Sequence, residues 1–285
     1  MKPGRPSRTA MGTAALRAAH QVLEHGLIFA DPLALRILGS DAEDIIRQAK
    51  KDPSAKRRLR LFIAARARFA EDVLNGAAAN GASQLVVLGA GLDTTAYRTH
   101  LGDRLRIFEV DHPATQAWKR ERLRETEIPL PQSLTFAPID FERETLGEGL
   151  AAAGFDASRR TVFTWLGVVP YLTEQAVFST MGFIGGLQGG ALVVFDYTNP
   201  PGSIAGHDAR AAHRALAARV AAAGEVFKTY FETDALHHRL KALGFCTIDD
   251  LGPAEIARRI LSIPNPVLED NGAHIACAAT VIETF

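Results

Sequence analysis

From residue 84 onward the chain alternates short, nearly continuous apolar runs with longer stretches of helical character. The runs occupy 84–88, 105–110, 134–139, 161–166, 191–196, 245–251 and 274–282. Apolar runs without polar alternation predict strands covered on both faces, as in a mostly parallel sheet flanked by helices. Seven of them separated by helices predict a doubly wound α/β sheet. Before residue 84 the period changes. Segments 14–24, 32–38, 42–51 and 55–74 are rich in Ala, Leu and Arg, with apolar residues at helical spacing. The first eight residues contain two prolines and a glycine and are expected to be loose. The stretch from about 197 to 235 is long for a crossover, opens with Asn199-Pro200-Pro201-Gly202 and continues as an Ala-rich helix over 208–223. It reads as an insertion near the strand ends that would roof a pocket together with the N-terminal helices. The expected organisation is a helical lid region over 1–80 and an α/β core over 81–285, with the insertion at about 197–235.

The first predicted strand runs into Leu88-Gly89-Ala90-Gly91-Leu92-Asp93-Thr94-Thr95. Glycines directly after a strand permit a tight turn and close backbone approach by a ligand, although a plain strand-to-helix turn would use them too. Thr94 stands where a dinucleotide-binding turn has its third glycine, which weakens a dinucleotide reading. The second strand ends at Asp111, 20 residues beyond Gly91, where a carboxylate can accept both hydroxyls of a ribose. The pattern therefore favours a nucleoside cofactor, and one without a pyrophosphate. The third strand ends in Ile139-Asp140-Phe141. There Asp140 would accept from an adenine amino group and Phe141 would pack on the ring, the alternative for Asp140 being a helix N-cap.

Three blocks carry a family resemblance. They are Leu88 to Arg98, Phe108-Glu109-Val110-Asp111-His112-Pro113 and Trp165-Leu166-Gly167-Val168-Val169-Pro170-Tyr171-Leu172. Ser7-Arg8-Thr9-Ala10, Ile28 through Ala34, and Arg66-Ala67-Arg68-Phe69 match as well. In this order they resemble the leucine carboxyl methyltransferase-like family of S-adenosylmethionine-dependent methyltransferases, including its bacterial small-molecule branch. The resemblance spans roughly residues 7 to 283 and implies a class I methyltransferase fold, a Rossmann-like sheet of seven strands with the last antiparallel. It implies that Arg66 binds the methionine carboxylate, that Gly89 and Gly91 border S-adenosylmethionine, that Asp111 takes the ribose, and that Asp140 and Phe141 take the adenine side. Leu166 occupies a cofactor-side position at which many relatives carry Glu, so the contact made by that Glu is absent or supplied by another group.

Methyl transfer from a sulfonium needs alignment more than functional groups, and a near-attack geometry can supply about 7–11 kcal/mol of the barrier. A carboxylate acceptor needs no base, whereas a phenol or alcohol needs one, usually histidine. His237-His238 face different sides of a predicted helix and lack metal-ligand spacing. His207, in the insertion, is either a base or a surface histidine, and His112 reads as structural. Tyr171 and Tyr197 follow the fourth and fifth strands, as substrate contacts or as half-buried tyrosines with hydroxyls at the rim. Cys246 and Cys277 fall within predicted strands and read as buried thiols.

Composition narrows the partners. The 285 residues are 47% hydrophobic and 22% charged, with 32 basic and 32 acidic side chains. That balance argues for a globular protein and gives no global field for nucleic acid. Two cysteines cannot build a disulfide framework or a four-thiolate zinc site. No apolar run reaches the ~18–20 residues of a membrane helix, and a cytoplasmic location is expected. Residues 47–68 carry nine basic side chains and one acid, Asp52, a local excess of +8. It is either a solvated helix face, with Arg66 and Arg68 turned inward, or a field that draws an anionic acceptor. The expected activity is methylation of a small-molecule carboxylate or hydroxyl oxygen. The alternatives are a nicotinamide-dependent oxidoreductase, disfavoured by Thr94 and by the lack of a Tyr-x-x-x-Lys pair, and a non-catalytic cofactor-binding protein.

Overall fold

The computed structural model describes residues 8–54, 56–140, 144–204, 206–222, 226–266 and 271–281. The expected loose N-terminus lies largely outside them, as do Phe141 and Ile282, the last residue of the seventh predicted strand.

The helical zone consists of α1 (Arg8–Leu23), α2 (Ala42–Lys51) and α3 (Arg57–Ala79). Where a helix was expected over 32–38, the chain makes turns and then a 3-10 segment, Arg36–Asp41. Pro32 and the left-handed Gly39 (φ 59°) prevent a regular α-helix there. Helix α3 outlasts its prediction by five residues. It closes on a glycine cap: Ala82 N–H donates to Ala77 O at 2.9 Å and Gly81 N–H to Ala78 O at 3.2 Å, with Gly81 at φ 91°.

The remaining elements alternate as predicted: β1 (Gln84–Leu88), α4 (Thr95–Arg98), β2 (Arg106–Asp111), α5 (Pro113–Glu125), β3 (Leu134–Pro138), α6 (Leu146–Ala152), β4 (Thr161–Trp165), α7 (Glu174–Gly185) and β5 (Ala191–Thr198). After them come α8 (His207–Ala222), α9 (Thr233–Ala242), β6 (Thr247–Leu251), α10 (Pro253–Glu255) and β7 (Ala273–Ala279). All seven predicted strands are present. They form one sheet in the order β3-β2-β1-β4-β5-β7-β6. Strand β7 runs antiparallel to β5 and β6, while β1 with β4, β4 with β5, and β2 with β3 are parallel.

Burial follows strand position. β1, β4 and β5 are buried along their whole length, whereas edge strands β3 and β6 are mostly half-buried. This explains one correction: Cys277 on β7 is buried, but Cys246, just before β6 at the sheet edge, is exposed. His112 is structural as expected. It caps α5, its ring accepting from Ala114 N–H at 3.2 Å, with Pro113 opening the helix.

The chain forms two compact units. One comprises 1–69 and 89–155, the other 70–88 and 156–285. Helices α1 and α2 thus fall in one unit with β2 and β3. Among the described residues, no helix is long and apolar enough to cross a membrane.

Candidate functional site

The first unit contains the glycine turn. Gly89 and Gly91 adopt φ of 65° and 43°, a region costly for residues with a Cβ. A Cβ on Gly91 would sit 3.0 Å from the Cβ of Ala10 on α1, so the position is also sterically closed. The turn is latched to the second strand by Ala90 N–H donating to Val110 O at 3.0 Å.

Asp111 completes the latch. Its Oδ2 accepts from Gly91 N–H at 2.6 Å, and its Oδ1 from His112 N–H at 2.7 Å. Burial pushes this carboxyl above its ordinary value, partly offset by those two N–H groups. Each oxygen spends one lone pair on the main chain, and each retains another for an incoming hydroxyl. The carboxylate therefore suits a cis-diol. Ile139 N–H donates to Asp111 O at 3.0 Å, which brings Asp140 beside the end of β2. Asp140 is half-buried, and its N–H donates to the Glu144 carboxylate at 3.0 Å. It is not the cap of α6, a role taken by Thr145 in a reciprocal pair with Glu148. Phe141 lies outside the described residues.

Helix α1 is anchored to the turn through Asp31, which is 2% exposed. Its Oδ2 accepts from Arg17 Nε and from the Thr94 hydroxyl, both at 2.7 Å, while Arg17 also donates to Leu92 O at 2.7 Å. Arg98 joins from the other side, donating to Thr94 Oγ1 at 3.1 Å. Desolvation raises the neighbouring Asp93 carboxyl, but Arg17, Lys119, Arg98 and the Thr95 N–H outweigh it and hold it below its ordinary value. Asp31 and Arg17 had no assigned role in the sequence reading. Asp31 stood within a resembling block, and Thr94 was read only as a missing glycine.

Arg66 is buried on α3, but Arg68 is exposed, which corrects the expectation that both turn inward. Arg60 turns inward as well. It donates to Glu24 Oε1 and Oε2 at 2.6 and 2.7 Å and to Pro53 O at 2.9 Å. Lys50, Lys51, Lys56, Arg57 and Arg58 are exposed. With Arg47 also paired to Asp44 and Glu43, the basic excess is in large part a solvated face.

In the second unit, Leu166 follows β4 and is half-buried. The acid missing there has a near neighbour on β5: buried Asp196 accepts from Gly167 N–H at 2.5 Å. Tyr171 ends a 3-10 turn after β4, with its ring 5.4 Å from that of Phe227. Tyr197 is not at the rim. It is 2% exposed, stacks on His274 at 4.7 Å, and its hydroxyl lies 2.7 Å from Asp250 Oδ2 and 2.9 Å from Thr233 Oγ1. Tyr197 is next to last on β5, a strand buried along its whole length, and its pairing with His274 of β7 explains that burial. His207 is exposed at the start of α8. His213, two turns further on, is buried, and its Nε2 lies 3.1 Å from Thr198 Oγ1.

Sequence comparison fits this geometry. Residues 10–185 match the leucine carboxyl methyltransferase family. The chain belongs to that family. YktD of Bacillus subtilis, which bears the name of an S-adenosyl-L-methionine-dependent methyltransferase, is 31% identical over 281 residues, covering 90% of this chain and 91% of its own. A similarly named protein of Streptomyces coelicolor is 37% identical over 182 residues, covering 62% of this chain and 63% of its own. A Thermobifida fusca structure titled as a methyltransferase has a TM-score of 0.53 at 16% identity, covering 97% of this chain and 96% of its own. That likeness concerns the fold. This leucine carboxyl methyltransferase family member is thus an S-adenosylmethionine-dependent methyltransferase with the class I fold, and the residues around Asp111 fit its cofactor.

Proposed function

We propose that this family member transfers a methyl group to an oxygen of a small-molecule acceptor in the cytoplasm. The observation that carries the reading is the match over 10–185 to a family described by carboxyl methylation. Two further facts support it. Equal numbers of acidic and basic residues offer no field for a polyanionic acceptor. Cys246 and Cys277 are both free thiols, which suits a reducing compartment.

S-Adenosylmethionine supplies an electrophilic methyl group on a positively charged sulfur. Asp111 would hold the ribose hydroxyls on its two outer lone pairs, in the orientation fixed by Gly91 and His112. Gly89 and Gly91, in their left-handed turn, would border the cofactor, and Arg66 would balance its amino-acid carboxylate. Asp140 would accept from the adenine amino group. In the second unit, Asp196 holds the main chain of Gly167, the residue after Leu166, in place. Alignment of donor and acceptor then does most of the catalysis.

The test is the linkage of the transferred group. The protein, incubated with methyl-labelled S-adenosylmethionine and a small-molecule extract, should label compounds that pass a low-mass filter. The label should be an ester, released by mild base, or a base-stable ether. Label on nitrogen, or retained with macromolecules, would contradict the proposal.

A further inference from the structure

In the first unit, a chain of hydrogen bonds begins on a cation of α1 and ends on Asp111. Buried Arg17 donates from Nη2 to Leu92 O at 2.7 Å. Leu92 O and Asp93 N–H belong to one planar peptide group. That N–H donates to Ala90 O at 2.7 Å and closes the four-residue turn. Ala90 O and Gly91 N–H share a second planar peptide group, and Gly91 N–H donates to Asp111 Oδ2 at 2.6 Å. Three hydrogen bonds through two peptide groups thus join a guanidinium to a carboxylate, and all five residues lie in the same unit.

Such a chain is stronger than its bonds taken singly. A cation at the carbonyl of a peptide group draws electron density from its nitrogen and makes the N–H a better donor. The effect passes to the next group and strengthens each bond by roughly 10–30%. Gly91 N–H therefore offers Asp111 a more positive hydrogen than an ordinary amide does, and its short bond ends on an ionisable acceptor. The other carboxylate oxygen is served differently. Oδ1 accepts from His112 N–H, whose peptide group accepts at Asp111 O from a neutral donor, Ile139 N–H at 3.0 Å.

Arg17 is itself aimed. Its Nε donates to Asp31 Oδ2 at 2.7 Å, Asp31 Oδ1 accepts from Leu33 N–H at 2.9 Å, and Asp31 N–H donates to Gln21 Oε1 at 2.9 Å, about one turn beyond Arg17 on α1. The planar guanidinium fork, pinned at Nε, presents Nη2 to Leu92 O. We infer that Arg17 is a positioning residue for the cofactor: through the peptide groups of Leu92–Asp93 and Ala90–Gly91 it orients the Asp111 carboxylate that receives the ribose hydroxyls. The inference rests on Asp111 as the ribose ligand. Asp31 holds Arg17 in the one orientation that completes the chain.

The test titrates S-adenosylhomocysteine into folded variants, well below their melting temperatures. Arg17→Lys keeps the charge but loses the fork that spans Asp31 and Leu92. The double variant Arg17→Gln with Asp31→Asn removes both buried charges together, so neither is left stranded. Both proteins should bind about fivefold more weakly than the parent. In the ligand-free variants the Gly91 amide proton should move upfield. A weaker donor lets the Asp111 carboxyl rise, so the pH at which binding is half lost on acidification should increase by about 0.5. The charged neighbours of Asp111 at α5, Lys119 and His112, are the same in parent and variants. Asp250→Asn, in the second unit, should lower stability while keeping the parental affinity, Gly91 shift and acid midpoint. Parental affinity in both Arg17 variants, or weaker binding with the Gly91 shift and acid midpoint unmoved, would overturn the role of Arg17. If Asp111→Ala still loses binding, the ribose assignment stands; parental binding by Asp111→Ala would overturn both.

Discussion

The hydroxyl of Thr94 donates to the carboxylate of Asp31 at 2.7 Å, joining the glycine turn to the segment after α1. Thr94 occupies the position where a dinucleotide-binding turn would have its third glycine. Here the position serves as a fastening point for a buried hub that also holds Arg17 and receives Arg98. Thr94→Val keeps the shape and removes the hydroxyl that bonds both Asp31 and Arg98, so stability should fall by at least about 1.5–3 kcal/mol in urea titrations. Asp31→Ala strands the buried Arg17 charge and should lower stability by about 3–5 kcal/mol. Thr94→Gly should lose stability without gaining affinity for NAD, which a thermal-shift assay would read.

Gly91→Ala combines two penalties. The left-handed backbone is unfavourable by roughly 1–2 kcal/mol for an L-residue, and the added methyl meets Ala10 at 3.0 Å. The variant should melt several degrees lower and bind S-adenosylhomocysteine more weakly. Gly202→Ala, with open space around the built Cβ, should match the parent in both assays.

Asp250 links acidity to stability in the second unit. Its Oδ1 meets His274 Nδ1 and its Oδ2 meets His237 Nε2, both at 2.7 Å, alongside the Tyr197 hydroxyl. Burial alone would raise its carboxyl, but His274, Tyr197 and His237 outweigh that and hold it below 3.8. A carboxyl depressed in the folded state binds fewer protons there than in the unfolded chain. Its stabilisation is therefore complete above about pH 4–5 and disappears as pH falls through the folded value. Asp250→Asn should flatten the acid limb of a stability–pH curve below pH 4, and an unchanged limb would contradict this assignment.

The alternating sheet was legible because both-face burial writes continuous apolar runs into the sequence, as in β1, β4 and β5. Gly91 and Asp111 were legible through their spacing at the ends of adjacent elements, and the structure joins them by a hydrogen bond. Long-range polar pairing was not legible. Nothing local in Arg60 says that Glu24, 36 residues away, will draw it inward while Arg68 stays exposed. His213 was hidden for a related reason: its burial depends on Thr198 and Tyr230, which only the tertiary fold brings to it. Cys246 was misjudged because an apolar run does not reveal which strand will lie at the sheet edge.

The most direct test of the account is calorimetric titration of S-adenosylhomocysteine into the parent protein and Asp111→Ala. Loss of two charge-assisted hydrogen bonds predicts an affinity drop on the order of 100-fold, with the far-ultraviolet spectrum and cooperative melting of the variant retained. A folded Asp111→Ala protein that binds S-adenosylhomocysteine as tightly as the parent would contradict the assignment of the site.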